Sequence, residues 1–307
     1  MNPAPLPPPR LSVVTRALCL VLLLAAALAA DAASFRRTQD VIYGRKMGTA
    51  LTLDVFEPSR KNGAAILFMV SGGFFSSHEA INPAMYAPLL DRGYTVFAVV
   101  HGSQPKFQIP EMIEDIHRAT RYVRHHGRRW GIDTNRFGVT GASAGGHLSL
   151  TLGTQGGPGR AAAKDPVERA SSAVQAVACF FPPTDFLNYG REGEDAVGVG
   201  TLKDFKPAFG PRSDTPAGRQ QLGQDISPVN FVTAGTAPTL IVHGDADKLV
   251  PIYQAERFAA RCREAGATCK VITKPGGLHG WPGMEKEARL IVDWFDQHLL
   301  GRPAAQP

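Results

Sequence analysis

Residues Arg136–Gly146 read RFGVTGASAGG, and they contain the sharpest local signal in the chain. Its first part has the pattern of a short apolar strand, and a helical pattern starts at Gly145. Glycines lie two positions before and two positions after Ser143, as in the motif G-x-S-x-G. A reactive serine on a sharp strand-to-helix turn needs such neighbours, because the chain folds too tightly there for larger side chains. The stretch therefore predicts a strand, a turn that presents a nucleophile, and a helix; the alternative is a glycine-rich turn that only packs a helix on a strand.

Strand and helix patterns alternate on both sides of this turn. Strands are predicted at Phe35–Val41, Ala50–Phe56, Ala64–Val70, Tyr94–Val100, Arg136–Thr140, Val174–Phe181, Thr239–His243 and Cys269–Thr273. Helices are predicted at Pro110–Trp130, from Gly145 onward, at Ile252–Ala265 and at Glu285–Leu300. This alternation is the signature of an α/β fold, in which a mostly parallel central sheet carries helices on both faces.

The segment Thr184–Asn230 departs from this alternation. Its periodicity is weak, and Gly, Pro, Asp and Arg are frequent in it. Stretches of this length without secondary structure are uncommon inside a compact domain and are usually functional loops or lids. We therefore expect a short lid-like insertion at residues 184–230, within one domain that spans residues 31–307.

A serine hydroxyl is a weak nucleophile at neutral pH, so it needs a general base and an acid that orients this base. Two loops after predicted strands supply such groups in the chain order Ser, Asp, His. The first loop contains Asp245 and Asp247, and the second contains His279 among glycines. Both loops follow the carboxyl ends of strands, which is the sheet edge where we expect Ser143. The spacing does not choose between Asp245 and Asp247.

The remaining histidines near these motifs are interpreted as structural. A lone histidine in a loop is more often a hydrogen-bonding surface residue than a base, and the chain has 9 histidines. His279 is preferred because of its loop and its flanking glycines, whereas His147 and His243 are taken as parts of the scaffold.

Acyl transfer also requires N–H donors for the negative charge that develops on the carbonyl oxygen. Ala144 follows the serine at the start of a predicted helix and offers one such donor. A second donor is expected from the loop Ser71–Phe74, where Gly72 and Gly73 let the backbone approach a substrate closely. The alternative is a simple turn at the end of a strand.

Four aromatic residues in predicted loops are candidates for the wall of a substrate pocket. They are Phe74, Phe75, Phe107 and Trp281. Ordinary packing of aromatic side chains is the alternative interpretation.

Composition and charge favour a globular protein over a nucleic-acid-binding one. The chain has 307 residues, of which 44% are hydrophobic and 20% are charged, and its net charge is +6. The basic residues cluster at Arg118, Arg121, Arg124, His125, Arg128 and Arg129. Their helical spacing predicts the solvated face of an amphipathic helix, and no nucleic-acid-binding motif accompanies them. We therefore expect no nucleic-acid partner.

The first 30 residues have the pattern of an export signal. Arg10 and Arg16 form a positive region, and the apolar stretch Ala17–Ala30 leads into small residues. The apolar stretch is shorter than the roughly 20 residues of a typical membrane span. We predict a signal peptide at 1–30, cleaved between Ala29 and Ala33, and a secreted or periplasmic chain without a stable membrane span. An uncleaved anchor is the alternative.

Three cysteines remain after this leader, and export permits disulfides. Cys262 and Cys269 lie close in sequence, at the end of a predicted helix and the start of a strand, so they either form a short bridge or stay as two unpaired side chains. Cys179 is expected to be a buried free thiol within a strand. No Cys/His spacing resembles a zinc site, and neither a metal nor an organic cofactor is implied.

These residues together resemble a known family. The motifs SGGF at Ser71–Phe74, GASAGGH at Gly141–His147, HGDADKLVP at His243–Pro251 and HG at His279–Gly280 resemble bacterial α/β-hydrolase esterases. The branch is the one grouped with feruloyl and acetyl esterases and with the catalytic domains of prolyl-oligopeptidase-like enzymes. The resemblance spans about residues 36–300. The family usually has His-Gly-Gly-Gly in its donor loop, whereas this chain has no histidine there, so the assignment of donors among Gly72, Gly73 and Phe74 is open.

The resemblance implies an α/β-hydrolase fold with Ser143 as nucleophile, His279 as base and Asp247, the second Asp of the HGDxD pattern, as acid. It implies a small-molecule or carbohydrate-linked ester as substrate, by analogy acyl groups on plant or algal polysaccharides. A serine peptidase is the nearest rival. Such relatives usually carry an extra N-terminal domain, and we expect the roughly 30 residues between the leader and the early core strand to be too few for one. A catalytically inactive binding protein on the same fold is a second rival.

Overall fold

The computed structural model describes residues 35–303. The predicted signal peptide at 1–30 and the alternative of an uncleaved anchor lie outside these described residues. Within residues 35–303, no helix combines the length and the apolar character that a membrane crossing requires.

Eight strands form one sheet in the order β1-β2-β4-β3-β5-β6-β7-β8. The strands are β1 (Phe35–Lys46), β2 (Thr49–Pro58), β3 (Ala65–Met69), β4 (Thr95–Val99), β5 (Phe137–Ala142), β6 (Ala176–Phe180), β7 (Thr239–Gly244) and β8 (Cys269–Lys274). β1 pairs antiparallel with β2, and β2 antiparallel with β4, whereas all other pairs are parallel. The predicted α/β-hydrolase fold with a mostly parallel sheet is confirmed.

The predicted strands agree with the structure within a few residues, except at the end of β1. That strand continues to Lys46 instead of ending at Val41. Its register against β2 shifts between Thr38 and Val41, and Asp40 has a positive φ of 54°. An extra residue at a bulge moves the following side chains to the other face, which hides the alternation from a search for a period of two.

Helices cover both faces of this sheet. They are α1 (Ala87–Asp91), α2 (Ile109–His125), α3 (Gly127–Trp130), α4 (Ala144–Gln155), α5 (Lys206–Phe209), α6 (Pro216–Ile226), α7 (Tyr253–Ala265) and α8 (Ala288–Leu300). Side chains of α1 and α8 pack in the apolar core on one face. Side chains of α2, α4 and α7 belong to the core on the other face. The buried strands therefore show nearly continuous apolar runs, as expected for a sheet covered on both sides.

Two predicted helices are shorter in the structure. The helix predicted at Pro110–Trp130 ends at His125, and α3 follows after a break. The helix predicted from Glu285 starts at Ala288, behind a short 3-10 turn at Met284–Glu287. Helix ends depend on local caps and tertiary contacts, so a periodicity search overruns them.

The insertion at 184–230 contains more structure than its weak periodicity indicated. It carries α5 and α6, and its side chains Phe186, Phe209 and Leu222 are fully buried in the same core as the sheet. The apolar residues of the insertion reach the core one at a time from short elements, so no periodic stripe appears in the sequence.

The basic cluster is only partly the solvated helix face that the sequence predicted. His125, Arg128 and Arg129 are exposed. Arg118, by contrast, forms ion pairs with Asp165 and Glu168. The spacing of charges cannot reveal this change of role, because the partners come from a distant segment of the chain.

The cysteines are unpaired in the described chain. Cys179 is buried in β6 as expected, which confirms its assignment. Cys262 and Cys269 are free thiols, so the structure agrees with the interpretation as two unpaired side chains and contains no bridge between them.

Candidate active site

Ser143 occupies the sharp turn between β5 and α4. Its φ of 55° and ψ of −121° lie in a strained region for a residue with a side chain. A Cβ atom on Gly141 would come within 2.6 Å of the Gly145 backbone, and one on Gly145 within 2.5 Å of the Met69 carbonyl oxygen. The two glycines of the motif are therefore required by close backbone packing around the serine.

The structure brings Ser143, His279 and Asp247 into one hydrogen-bonded chain. His279 Nε2 lies 2.9 Å from Ser143 Oγ, and His279 Nδ1 lies 2.7 Å from Asp247 Oδ2. Asp247 comes from the loop after β7, and His279 from the loop after β8. Because these parallel strands end at the same sheet edge as β5, residues far apart in sequence meet there.

Asp247, rather than Asp245, orients the histidine. Asp247 Oδ1 accepts the backbone N–H groups of Leu249 and Val250, each at 2.9 Å, and the residue is 6% exposed. Asp245 is exposed, and it accepts the Gly276 N–H at 2.6 Å, so it links the two loops. The two aspartates that the spacing alone did not separate thus have different contacts.

Hydrogen bonds stabilise Asp247 as an anion. Burial by itself would raise the pKa of this carboxyl, but hydrogen bonds from His243, His279 and the Val250 N–H hold the pKa well below its usual range. His243 is fully buried, and its Nε2 lies 2.8 Å from the Val250 carbonyl oxygen and 3.5 Å from Asp247 Oδ2. His243 is therefore part of the scaffold that holds the carboxylate.

In the loop after β3, the N–H groups of Gly73 and Phe74 have no acceptor among residues 35–303. The Gly72 N–H donates to the Phe75 carbonyl oxygen at 3.0 Å. The expectation that Gly72 supplies an oxyanion donor is therefore corrected: its N–H is already used within the turn. Ala144 is the first residue of α4, so its N–H has no acceptor inside the helix.

A cavity of 340 Å³ surrounds these groups. Ser143, His279, Gly73 and Phe74 line it together with Tyr189, Leu202 and Phe205 from the insertion. A Cβ atom on Gly73 would lie 2.5 Å from the Phe205 ring, so this ring rests directly on the donor loop. The insertion thus forms one wall of the cavity in front of the serine.

A second cavity, of 360 Å³, lies on the other side of Ala142, which lines both. Its walls are mainly apolar, and Trp281 is one of them. Of the four aromatic residues suggested by the sequence, Phe74 and Trp281 line a cavity, and Phe75 is 55% exposed. Phe107 is buried against Lys46 and Lys106 and lines neither cavity, which agrees with the alternative of ordinary packing.

Comparison with known proteins agrees with this fold. Residues 53–262, more than half of the chain, match the family model described as BD-FAE. The chain belongs to the BD-FAE family. Its predicted membership in an α/β-hydrolase esterase family is thereby confirmed.

Individual relatives of this BD-FAE family member include curated proteins and solved structures. Esterase LipQ of Mycobacterium tuberculosis is 29% identical over 263 residues, which cover 80% of this chain and 57% of LipQ. An acetylxylan esterase of Xylanibacter ruminicola is 27% identical over 251 residues, covering 79% of this chain and 44% of the relative. The chain spans about half the length of the curated relatives it matches. A solved truncated carbohydrate esterase from gut microbiota is 27% identical, with a TM-score of 0.73, and the match covers 87% of this chain and 98% of that structure.

One cluster among the described residues has the geometry to hold a metal ion. Asp40, Asp54 and His78 each offer one ligand atom, and these atoms lie within 4.8 Å of one another. The Arg37 Nε atom, however, donates to Asp54 at 2.7 Å, and the Asp40 N–H donates to the same carboxylate at 3.0 Å. The arginine already balances the buried charge, and none of these residues lines the cavity at Ser143.

Several groups around the serine carried no signal in the sequence. Tyr189 and Phe205 lie in the insertion, whose register relative to the sheet is set by tertiary packing. The Gln104 side chain donates to the Gly73 carbonyl oxygen from a loop about 30 residues downstream, and no motif marks it.

Proposed function

We propose that this BD-FAE family member hydrolyses carboxylic esters through an acyl-enzyme on Ser143. The hydrogen-bonded chain from Ser143 Oγ through His279 to Asp247, beside free backbone N–H groups, carries this proposal. Such an arrangement activates a serine and stabilises the negative charge of a tetrahedral intermediate.

In the first half of the reaction, His279 Nε2 takes the proton of Ser143 as the hydroxyl oxygen attacks the ester carbonyl carbon. Asp247 keeps the Nδ1 proton on the histidine and stabilises the imidazolium that forms. The oxyanion is placed at the N–H groups of Ala144 and of Gly73 or Phe74. The intermediate then collapses, and His279 gives its proton to the departing alcohol.

In the second half, a water molecule replaces the alcohol. His279 removes a proton from this water as it attacks the acyl-serine, and the same donors hold the second oxyanion. Collapse breaks the acyl–Ser143 bond, and the histidine returns its proton to the serine oxygen. The carboxylic acid leaves, and the enzyme is restored.

Acyl groups on carbohydrates are the substrates we favour within this class. The support comes from relatives that are named an acetylxylan esterase and a carbohydrate esterase and that cover most of the described chain. The cavity of 340 Å³ has the volume for a small acyl group beside the serine.

Hydrolysis of p-nitrophenyl acetate, butyrate and octanoate tests the proposal. We expect turnover by the purified chain without its leader, and a loss of about 10⁶-fold in kcat for Ser143→Ala, because the nucleophile is removed. Ser77→Ala, at an exposed serine that does not line the cavity, serves as the matched control and should keep full activity. A panel of peptide substrates should remain uncleaved. Retained ester turnover in Ser143→Ala would contradict the assignment, and cleavage of peptides alone would favour the peptidase.

We also propose that the mature protein is secreted or periplasmic. The positive region with Arg10 and Arg16 and the apolar stretch Ala17–Ala30 support this proposal. Mass spectrometry of the protein from the extracellular or periplasmic fraction should give an N-terminus between residues 29 and 34. A full-length chain in the cytoplasmic fraction would contradict it.

A further inference from the structure

The turn that offers the Gly73 and Phe74 N–H groups has a strained backbone. Gly73 has a φ of 54°, and Phe74 has a φ of 64°. Glycine tolerates such values, but a positive φ is a rare conformation for a bulky aromatic residue. A residue keeps this kind of strain only where its surroundings hold it in place.

Gln104 holds two consecutive peptide groups of this turn. Its side-chain amide Nε2 donates to the carbonyl oxygen of Gly73, and its backbone N–H donates to the carbonyl oxygen of Phe74 at 3.3 Å. Gln104 lies in the segment between β4 and α2 and is 4% exposed. Nearby, Ser103 Oγ accepts the Ser76 N–H at 3.1 Å. The two loops are thus tied together on both sides of Phe74.

The geometry of a trans peptide links this contact to the candidate oxyanion site. The C=O and N–H groups of one planar trans peptide point in opposite directions. When the Gly73 carbonyl oxygen points toward Gln104, the Phe74 N–H in the same peptide must point away from Gln104. Gly73 and Phe74 line the cavity that contains Ser143, and the Phe74 N–H has no acceptor among the residues that the structure describes.

A rotation of the peptide plane between Gly73 and Phe74 would relieve the strain at Phe74 and turn the Phe74 N–H away from the candidate oxyanion site. Such a flip changes ψ of Gly73 and φ of Phe74, so it can return Phe74 to the favoured negative φ. It would also exchange the positions of the N–H and the carbonyl oxygen. A carbonyl oxygen would then face the developing oxyanion, which it repels. Glycine at position 73 offers no steric resistance to the flip, so an external contact is needed to prevent it.

We propose that Gln104 is a positioning residue that prevents this peptide flip and so keeps the Phe74 N–H directed at the oxyanion. The predicted effect on catalysis rests on the ester hydrolysis proposed above. The predicted orientation of the peptide does not depend on that activity. Because a preorganised donor needs no rearrangement during the reaction, its loss affects the transition state more than the bound substrate.

The test replaces Gln104 by Met, which keeps the length of the side chain and removes its donor. We expect kcat on p-nitrophenyl acetate to fall by about 100-fold, the lower end of the effect of losing one oxyanion donor, while KM stays within about 2-fold. The affinity for an alkyl trifluoromethyl ketone, which forms a tetrahedral oxyanion on the serine, should fall by a similar factor. Gln155→Met is the matched control: Gln155 Nε2 has no partner in the described chain, and the residue does not line the cavity, so kcat should be unchanged.

A crystal structure of the Gln104→Met variant tests the positioning directly, and it does not depend on turnover. We expect the peptide between residues 73 and 74 to be flipped or to adopt two orientations, with a negative φ at Phe74 in the flipped form. If Gln104→Met does not fold, Gln104→Glu, which keeps the length but cannot donate when ionised, takes its place in all three measurements.

The outcomes of these experiments distinguish failure of the proposed ester hydrolysis from failure of the proposed role of Gln104. No ester turnover by the unmodified protein would remove the proposed function, whereas an unflipped peptide in the variant structure would overturn the role of Gln104. An unchanged kcat, a change confined to KM, or a fall in kcat without weaker binding of the trifluoromethyl ketone would also overturn it.

Discussion

The carboxylate of Asp247 accepts hydrogen bonds from two loops of the chain. The N–H groups of Leu249 and Val250 bind one oxygen, and His279 binds the other at 2.7 Å. This environment keeps the pKa of Asp247 well below its usual range although burial opposes it. A permanent anion at this position keeps His279 in the tautomer that can accept the serine proton.

Asp247→Asn therefore should reduce kcat on p-nitrophenyl acetate by about 10⁴-fold, because the amide favours the wrong histidine tautomer. Asp245→Asn provides the matched comparison, since Asp245 is exposed and its carboxylate accepts the Gly276 N–H of the neighbouring loop, not a hydrogen bond from His279. We expect its kcat to change by less than about 10-fold. Equal losses in the two variants would mean that the acid is not Asp247.

At the scale of elements, the insertion at 184–230 both packs into the core and forms one wall of the cavity, which its weak periodicity did not predict. It packs into the main core through Phe186, Phe209 and Leu222, so it is a fixed part of the domain. It also places Phe205 on the donor loop and Leu202 in the wall of the cavity at Ser143. Side chains from the insertion thus limit the space beside the serine.

Phe205→Ala should widen the cavity and shift the preference toward longer acyl chains. Each buried methylene contributes about 0.8 kcal/mol, so space for two more would raise the ratio of kcat/KM for octanoate over acetate by about 10-fold. Leu187→Ala is the control, because Leu187 belongs to the insertion and packs on Gly223 without lining the cavity. An unchanged ratio in Phe205→Ala, or the same shift in both variants, would contradict the role of Phe205.

At the scale of the whole molecule, burial of histidines couples the stability of the fold to pH. Burial lowers the pKa of His101, His117 and His147 from 6.5 to about 4. Between these pH values the unfolded chain binds protons at these sites and the folded chain does not. The free energy of unfolding therefore decreases as the pH falls from 6.5 to about 4.

This dependence is measured by urea unfolding at several pH values between 4.5 and 7. Each histidine of this kind contributes up to about 1.4 kcal/mol per pH unit to the slope. His147→Gln removes one titrating group and should flatten the slope by that amount. Its control is His125→Gln, at an exposed histidine at the end of α2, which should leave the slope unchanged. A slope in His147→Gln equal to that of the unmodified chain would disprove the coupling.

The α/β-hydrolase fold and the choice of Ser143 and His279 as candidate nucleophile and base could be predicted from the sequence alone. The strands of a parallel sheet that is covered on both faces have continuous apolar runs, which can be recognised without knowing which strands pair. The glycines around Ser143 are required largely by the sharp turn itself. These constraints act between residues that are close in sequence. They therefore produce a recognisable pattern of residue types along the chain.

The spacing of residues left Asp245 and Asp247 open, and the family resemblance favoured Asp247; the structure adds the contact of Asp247 with His279. The structure alone shows that the Gly72 N–H is already used and that Phe205 and Gln104 lie at the loop beside the serine. Each of these facts depends on one hydrogen bond, or on the position of one aromatic ring, and most of these contacts join segments that are far apart in the chain. The three-dimensional packing of β7, β8 and the insertion sets these directions, and a pattern of residue types along the sequence does not record them.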